Sequence, residues 1–551
     1  MRAWLLGCMM CVGLGACGGD DPPPPTGPIE YTALRYDFAF DVETRAAASA
    51  VTVRVETGGD CISIPARITN AAGGSLNDEP IRSGELQDDV LTLCGTGWET
   101  GTELTLRLTT TFADETWDDS QVGYSVTTDL EGQPFYYLVS WVGGCDRFGP
   151  CDSSPSAFAT YRFTVTHPSG YRALCPGRVT PGETQTVCEF DYPGGPTYST
   201  FGVAVSPSWV ESDLGDWGGV RATLYDTPSS GVAAAFPTDN AKGFLAWMVD
   251  QFGAYPYGDE LRFAVGPTYW NGFEHPGNIV LNDQLPVAAS RYANGLAHTT
   301  NHELAHMWAG DQTTLSGVYD FVWKEAMAEY LTFVYDDETS GETVSLATTA
   351  AWKFFSRFAG YYPVPGEAPP LLEYYGDVYG PGPVILFRQI EALFTRADVM
   401  QALAMLLGTE RAIGVTDVKA ALEQTTGADL TAYFDAWVYG EGPPTWPRFG
   451  ITLTDRGAGD YDLTVTQADP ETLFGTAFAI RLTGDNSATH DVWIDLGPDG
   501  KAVHTVTASP GFVVTGHRFD PYNHTLATEG PAPTAAPAIR INPWVAVPRT
   551  K

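Results

Sequence analysis

Two histidines four residues apart enclose a glutamate in the run His302-Glu-Leu-Ala-His306. On an α-helix, residues four apart lie on one face, so both imidazoles can reach one metal ion. Glu303 lies beside them, where its carboxylate can contact a water molecule that the metal binds. A catalytic zinc takes three protein ligands and keeps one position open. The run therefore predicts part of a zinc site for hydrolysis, and the alternative is a pair of exposed histidines on a surface helix.

Further along the chain, eighteen residues separate His306 from Glu325, which lies in the run Trp323-Lys-Glu-Ala-Met-Ala-Glu-Tyr330. This spacing resembles the signature of the gluzincin family, the zinc peptidases of the aminopeptidase N and leukotriene hydrolase type. Lys324 stands where that family has asparagine, and Ala326 stands where it has glycine. The resemblance implies that His302, His306 and Glu325 bind one zinc ion per chain.

A short run upstream, Gly272-Phe-Glu-His-Pro276, resembles the family's G-x-M-E-N or G-x-M-E-H-P strand, with Phe273 in place of methionine. The resemblance implies that Glu274, together with Gly272, binds the free amino group of the substrate. Taken alone, a glutamate between glycine and proline is usually a turn residue. Its place ahead of the histidine pair favours the functional interpretation.

Downstream, Tyr379-Gly-Pro-Gly382 resembles the family's Y-x-K/R-G run, with Pro381 in place of the basic residue. The resemblance implies that Tyr379 donates a hydrogen bond to the oxyanion that forms during peptide hydrolysis. Tyr374 and Tyr375 are alternatives for this role.

Metal-binding histidines usually donate their second ring N–H to an acceptor that fixes the orientation of the ring. Glu329 lies one helical turn beyond Glu325 and is one candidate for that acceptor. Asp311 is the competing candidate.

The resemblance implies a zinc-dependent aminopeptidase that hydrolyses the N-terminal peptide bond of peptides, with Glu303 as general base. One alternative is a zinc endopeptidase, which applies if Glu274 does not face the substrate. The other is a non-catalytic lipoprotein that uses the fold as a binding surface. Intact His302, Glu303, His306 and Glu325 argue against this last alternative.

Two helices must hold these side chains, and the sequence predicts helices over 291–309 and 324–334. Residues 29–205 are expected to form an N-terminal β-domain, because apolar and polar residues alternate in its segments as they do in half-buried strands. A thermolysin-like catalytic domain over 206–395, a helical segment over 396–445 and a β-sandwich over 446–551 follow. The expected fold class is multidomain α+β.

The charge balance limits the possible partners. The 551 residues include 30 basic and 67 acidic side chains, which gives a formal net charge of −37. Such a surface repels nucleic acid and anionic lipid headgroups and can attract cationic peptides. The alternative is simply a solvated acidic surface.

The start of the chain is typical of an export signal. A short apolar run, Leu5–Gly15, leads into Leu14-Gly-Ala-Cys17, which resembles a bacterial lipobox and implies lipidation of Cys17. Residues 1–17 would be the signal peptide, and the Gly/Asp/Pro-rich residues 18–28 a spacer. We therefore expect an exported lipoprotein anchored at the outer membrane or the cell surface. A plain signal peptide is the alternative.

Cysteine usage agrees with export. Six cysteines follow Cys17, all before residue 190, and their even number favours disulfides formed in an oxidising compartment. The sequence leaves the pairing open, and nearest neighbours along the chain are the simplest choice: Cys61 with Cys94, Cys145 with Cys151, and Cys175 with Cys188.

Overall fold

The computed structural model describes residues 26–68, 70–81, 84–113, 116, 121–288, 294–378, 381–468 and 471–530. Cys17, the rest of the predicted signal peptide and Tyr379 lie outside these residues. Within the described ranges, no helix is both long enough and apolar enough to cross a bilayer.

The N-terminal part is a β-domain, as the alternating segments predict. Its strands are β1 (Glu30–Asp41), β2 (Ala46–Thr57), β3 (Gly59–Pro65), β4 (Asn70–Leu76), β5 (Glu79–Pro80), β6 (Gly84–Gln87), β7 (Val90–Trp98), β8 (Glu103–Thr111), β9 (Gly123–Thr128), β10 (Pro134–Val139), β11 (Phe158–Thr166), β12 (Arg172–Leu174), β13 (Arg178–Thr180), β14 (Gln185–Pro196) and β15 (Gly202–Ser206). The largest sheet has the order β13-β14-β11-β1-β2-β8-β4-β5, and others have the orders β12-β15-β10-β9 and β3-β7-β6. Alternate residues of β1, such as Tyr36, Phe38 and Phe40, are buried in the core.

Three disulfides join the cysteines of this domain as nearest neighbours: Cys61–Cys94, Cys145–Cys151 and Cys175–Cys188. The expected pairing is confirmed. Cys61 and Cys94 lie opposite each other on the antiparallel pair β3 and β7, so that register brings together residues far apart in sequence.

A second sheet, in the order β16-β17-β18-β20-β19, begins the part of the chain that the sequence predicts to be catalytic. Its strands are β16 (Val210–Asp216), β17 (Arg221–Asp226), β18 (Glu260–Gly266), β19 (Gly272–Phe273) and β20 (Asn278–Asn282). Strands β17, β18 and β20 run parallel, whereas β19 pairs antiparallel with β20 at the edge. Glu274 therefore directly follows an edge strand.

Helices cover this sheet and extend the domain. They are α1 (Val232–Ala235), α2 (Thr238–Phe252), α3 (Gly295–Ala305), α4 (Phe321–Ser340), α5 (Glu342–Phe355), α6 (Leu371–Val378), α7 (Pro381–Leu393), α8 (Arg396–Leu406), α9 (Val415–Thr426) and α10 (Thr431–Trp437). Short strands connect them: β21 (Thr313–Leu315), β22 (Val364–Pro365), β23 (Arg411–Ile413) and β24 (Tyr439–Gly440). Compared with the sequence prediction, α3 is shorter and α4 is longer at both ends.

The C-terminal domain has its own core between two sheets, with the orders β29-β26-β25-β31 and β28-β27-β30. Its strands are β25 (Arg448–Gly457), β26 (Asp460–Gln467), β27 (Ala477–Gly484), β28 (Thr489–Asp495), β29 (Val503–Ala508), β30 (Val514–Phe519) and β31 (Thr528–Glu529). The expected multidomain α+β fold class is confirmed.

Candidate metal centre

The two helices α3 and α4 carry the candidate ligands on facing surfaces. Asn294 caps the start of α3, because its side chain accepts a hydrogen bond from the backbone N–H of Ala297 at 3.1 Å. His302 lies in the last turn of α3, His306 directly follows it, and Glu325 lies in the first part of α4. All three side chains are buried, so their polar atoms must be satisfied within the protein.

The ligand atoms of these three residues converge. His302 Nε2 lies 3.1 Å from His306 Nε2 and 3.1 Å from Glu325 Oε2. His306 Nε2 lies 3.4 Å from the same carboxylate oxygen. With metal–ligand bonds of about 2.0–2.1 Å, tetrahedral zinc keeps its ligand atoms roughly 3.3 Å apart. The three separations therefore fit one zinc ion.

The other ring nitrogens of the histidines are held by acceptors. His302 Nδ1 lies 3.0 Å from Glu329 Oε2, and His306 Nδ1 lies 2.9 Å from the carbonyl oxygen of Ala309. Because carbonyl and carboxylate oxygens accept, each Nδ1 donates its proton. Each Nε2 is thereby oriented to offer its lone pair to a metal ion.

Glu329 accepts hydrogen bonds from more donors than the sequence indicated. His298 Nε2 lies 2.8 Å from Oε2, and Trp352 Nε1 donates to Oε1 at 2.9 Å. The side chain is fully buried. Burial alone would raise the pKa of Glu329, but His298 and His302 outweigh it and hold the pKa well below its usual value. Glu329 is therefore a carboxylate that anchors His302.

Asp311, the competing candidate, has other contacts. Its Oδ1 accepts a hydrogen bond from Ser199 Oγ at 2.6 Å and a longer one from Tyr198 OH at 3.5 Å. Burial raises the pKa of Asp311, and the nearby Glu274 adds to the shift. Of the two candidates, the structure places Glu329, and not Asp311, against the ring of a ligand histidine.

Glu303 lies close to the place where the side chains of His302, His306 and Glu325 converge. Its carboxylate, that of Glu274 and a ring nitrogen of His306 lie within 4.8 Å of one another. The carboxylate also packs so closely on the backbone of Gly272 that a Cβ atom there would overlap it. Gly272 is thus required by the close approach of Glu303. Burial raises the pKa of Glu303, and His302 opposes this effect.

Lys324 is a further residue of the site whose position the sequence did not predict. Its Nζ lies 2.5 Å from Glu274 Oε1 and 2.7 Å from Glu325 Oε1, and its side chain is 1% exposed. Burial favours the neutral amine, but Glu274 and Glu325 outweigh this effect and raise the pKa of Lys324. The only signal in the sequence was its position next to Glu325, where the family run has asparagine.

The segment that carries Glu274 is tied to the N-terminal domain by His275. His275 Nδ1 donates to the carbonyl oxygen of Ser199 at 2.6 Å, which leaves Nε2 to accept from Tyr137 OH at 2.9 Å. Burial lowers the pKa of His275 to about 4, so the ring is neutral at pH 7. Neither partner could be read from the sequence, since both lie on another domain.

The two alternative tyrosines are engaged elsewhere. Tyr374 OH donates to the carbonyl oxygen of Pro363 at 2.6 Å and lies 3.0 Å from the carbonyl oxygen of Tyr319, which can share the same proton. Tyr375 OH donates to the carbonyl oxygen of Val318 at 2.8 Å. These bonds give both buried tyrosines a role in packing, which disfavours them as oxyanion donors.

Acidic side chains are concentrated in the buried part of the site. They are Glu274, Glu303, Asp311, Glu325 and Glu329. Lys324 lies between Glu274 and Glu325, and His298 and His302 pair with Glu329. Burying several carboxylates is costly unless cations pair with them. A divalent cation between His302, His306 and Glu325 would supply such compensation, and this donor set suits zinc.

Comparison with known proteins finds a peptidase domain and aminopeptidases. Residues 236–359 match the model of the peptidase family M1 domain. The chain is similar to an aminopeptidase N from Streptomyces lividans, with 24% identity over 56% of this chain and 38% of the relative. It is also similar to a glutamyl aminopeptidase from Sus scrofa, with 22% identity over 62% of this chain and 39% of the relative.

Among solved structures, the fold is similar to that of Legionella pneumophila aminopeptidase A, determined in complex with aspartic acid. The TM-score is 0.73 at 16% identity, over 92% of this chain and 60% of that chain. The match to this chain spans about two fifths of the length of each of the two aminopeptidases from Streptomyces lividans and Sus scrofa. These matches confirm the resemblance to the gluzincin aminopeptidases.

Replacing Glu329 by glutamine should weaken zinc binding by roughly 10- to 100-fold, because the neutral amide no longer holds the ring of His302 with a charged acceptor. Asp311→Asn is the matched control: it removes another buried carboxylate that bonds no ligand ring, and its effect should be smaller. Titration against a competing chelator measures both affinities. A larger loss in Asp311→Asn would show that the anchor of His302 is misassigned.

Proposed function

We propose that this chain is a zinc-dependent aminopeptidase that removes the first residue from peptides. The observation that carries the proposal is the convergence of His302 Nε2, His306 Nε2 and Glu325 Oε2, with Glu303 beside them. The match of residues 236–359 to a peptidase family supports it, as does the similarity to aminopeptidases.

His302, His306 and Glu325 would hold the metal. When bound there, zinc supplies Lewis-acid catalysis and brings the pKa of a water ligand toward ~7. The positive charge of the ion would also counter the effect of burial on Glu303 and favour its ionised form.

Glu303 would act as the general base. Its carboxylate accepts a proton from the attacking water and later delivers it to the leaving amine nitrogen. Contact with the backbone of Gly272 limits the positions that the carboxylate can take. Such positioning lowers the entropic cost of reaching the transition state.

Glu274 would bind the α-ammonium of the substrate. Its carboxylate lies near both Glu303 and His306, so a peptide held there by its amino group would present its first peptide bond to the base. The charge of Glu274 suits an ammonium. A site built this way selects the first bond of a peptide over internal bonds.

Tyr379 would donate a hydrogen bond to the oxyanion. The backbone bonds of Tyr374 and Tyr375 leave it as the candidate with a family precedent.

The second candidate function, a zinc endopeptidase, shares every role except that of Glu274. The observation that favours this second function is the pairing of Glu274 with Lys324, because it occupies the carboxylate proposed to bind the substrate's amine.

Glu303→Gln should keep the metal and lower kcat by ~100-fold or more, because the amide fills the same space but cannot accept a proton. Zinc content by elemental analysis and turnover of a peptide substrate measure the two effects. Glu325→Gln, the same change in a proposed ligand, should lose zinc. Near-normal turnover of a zinc-loaded Glu303→Gln protein would exclude Glu303 as the base.

Tyr379→Phe should retain zinc and lower kcat roughly 100-fold, the scale of one oxyanion donor. Tyr375→Phe is the matched control and should affect thermal stability more than kcat, because its hydroxyl bonds a backbone carbonyl. Steady-state kinetics and thermal unfolding of both variants provide the comparison. The reverse pattern would transfer the role to Tyr375.

A free α-amine should be preferred over a blocked one. We expect alanyl-7-amido-4-methylcoumarin to be cleaved at least about tenfold more efficiently than its N-acetyl counterpart, because acetylation removes the charge that Glu274 binds. The ratio of kcat/KM values measures this preference, and Glu274→Gln should reduce it while zinc remains bound. Equal cleavage of both substrates by wild-type protein would favour the endopeptidase.

A further inference from the structure

A buried lysine lies between two carboxylates of the metal centre. Lys324 Nζ approaches Glu274 Oε1 at 2.5 Å and Glu325 Oε1 at 2.7 Å. The side chain of Lys324 packs against Gly310, where an added Cβ would lie 2.9 Å from two of its carbons. The ammonium also lies 5.3 Å from the centre of the Tyr198 ring. Packing and charge together hold Lys324 beside Glu274.

The ammonium of a lysine and the α-ammonium of a peptide are chemically alike. Each carries one positive charge and three N–H donors. Glu274 is the carboxylate that would bind the peptide's ammonium, and Lys324 already pairs with it. Two cations at one carboxylate repel each other, most strongly where water is excluded.

We propose that Lys324 is a specificity-determining residue that competes with the substrate's α-ammonium for Glu274. The inference rests on the proposed function, since it requires Glu274 to bind the amine. Lys324 lowers the affinity for a free amine but not for an acetylated one, which carries no charge. It therefore limits how strongly the site distinguishes the start of a peptide from an internal segment.

A purely structural role of Lys324 leads to a different expectation. If Lys324 only orients Glu325 for the metal, its loss changes zinc affinity and weakens the binding of free and acetylated peptides alike. Competition at Glu274 instead changes the ratio of the two affinities. The ratio separates the two roles even if zinc binding changes as well.

Lys324→Gln tests the proposal, because glutamine retains N–H donors on a side chain only one bond shorter but carries no charge. The binding of Ala-Phe-Ala and of acetyl-Ala-Phe-Ala is measured by calorimetry on zinc-loaded protein. All proteins also carry Glu303→Gln, so that the peptides are not cleaved. We expect Lys324→Gln to raise the ratio of acetylated to free Kd about tenfold or more. Lys324→Asn, a second neutral variant, should act in the same direction.

The same substitution in a Glu274→Gln background is the control. The ratio should then change much less, since Glu274 no longer offers the charged contact for which the two cations compete. An unchanged ratio in Lys324→Gln and Lys324→Asn, with a preference for the free amine in the parent protein, would overturn the role of Lys324 alone. If neither the parent nor any variant preferred the free amine, the aminopeptidase proposal itself would fail.

Discussion

The burial of one carboxylate, that of Glu329, constrains the arrangement of the metal centre. It is fully buried and meets donors from His298, His302 and Trp352. A buried carboxylate without such partners would be strongly destabilising. Helices α3, α4 and α5 must therefore pack so that these donors meet it. The same packing turns Nε2 of His302 toward Glu325.

The N-terminal β-domain takes part in shaping the site. Ser199 bonds His275 through its carbonyl oxygen and Asp311 through its hydroxyl. One residue thereby links the segment that carries Glu274 to the turn that follows His306. Separating the domains would break both bonds and leave buried polar groups without partners, which is costly. The domain interface thus helps to position Glu274 near Glu303 and His306.

Lys324 shows how one residue in a run that otherwise resembles a family's can change the charge of a site. The spacing of the candidate ligands and the helices that carry them match the resemblance, whereas Lys324 places a positive charge beside Glu274, the proposed ammonium-binding carboxylate. Its burial at 1% exposure means that little solvent screens that charge. An effect on substrate selection is therefore the physical consequence to expect.

The sequence by itself predicted that His302 and His306 share one face of a helix, because residues four apart lie one above the other. Glu325 was predicted as the third ligand through the family resemblance. Alternation in segments such as Tyr36–Asp41 likewise determined the β-domain. Contacts across elements could not be read in this way: the choice of Glu329 over Asp311, the bond between His275 and Ser199, and the pairing of Lys324 with Glu274. They depend on how separate helices and domains pack, since each joins residues that local periodicity does not relate. Only the tertiary structure decided them, because burial forces each of these charged and polar groups to find a partner that the chain brings from elsewhere.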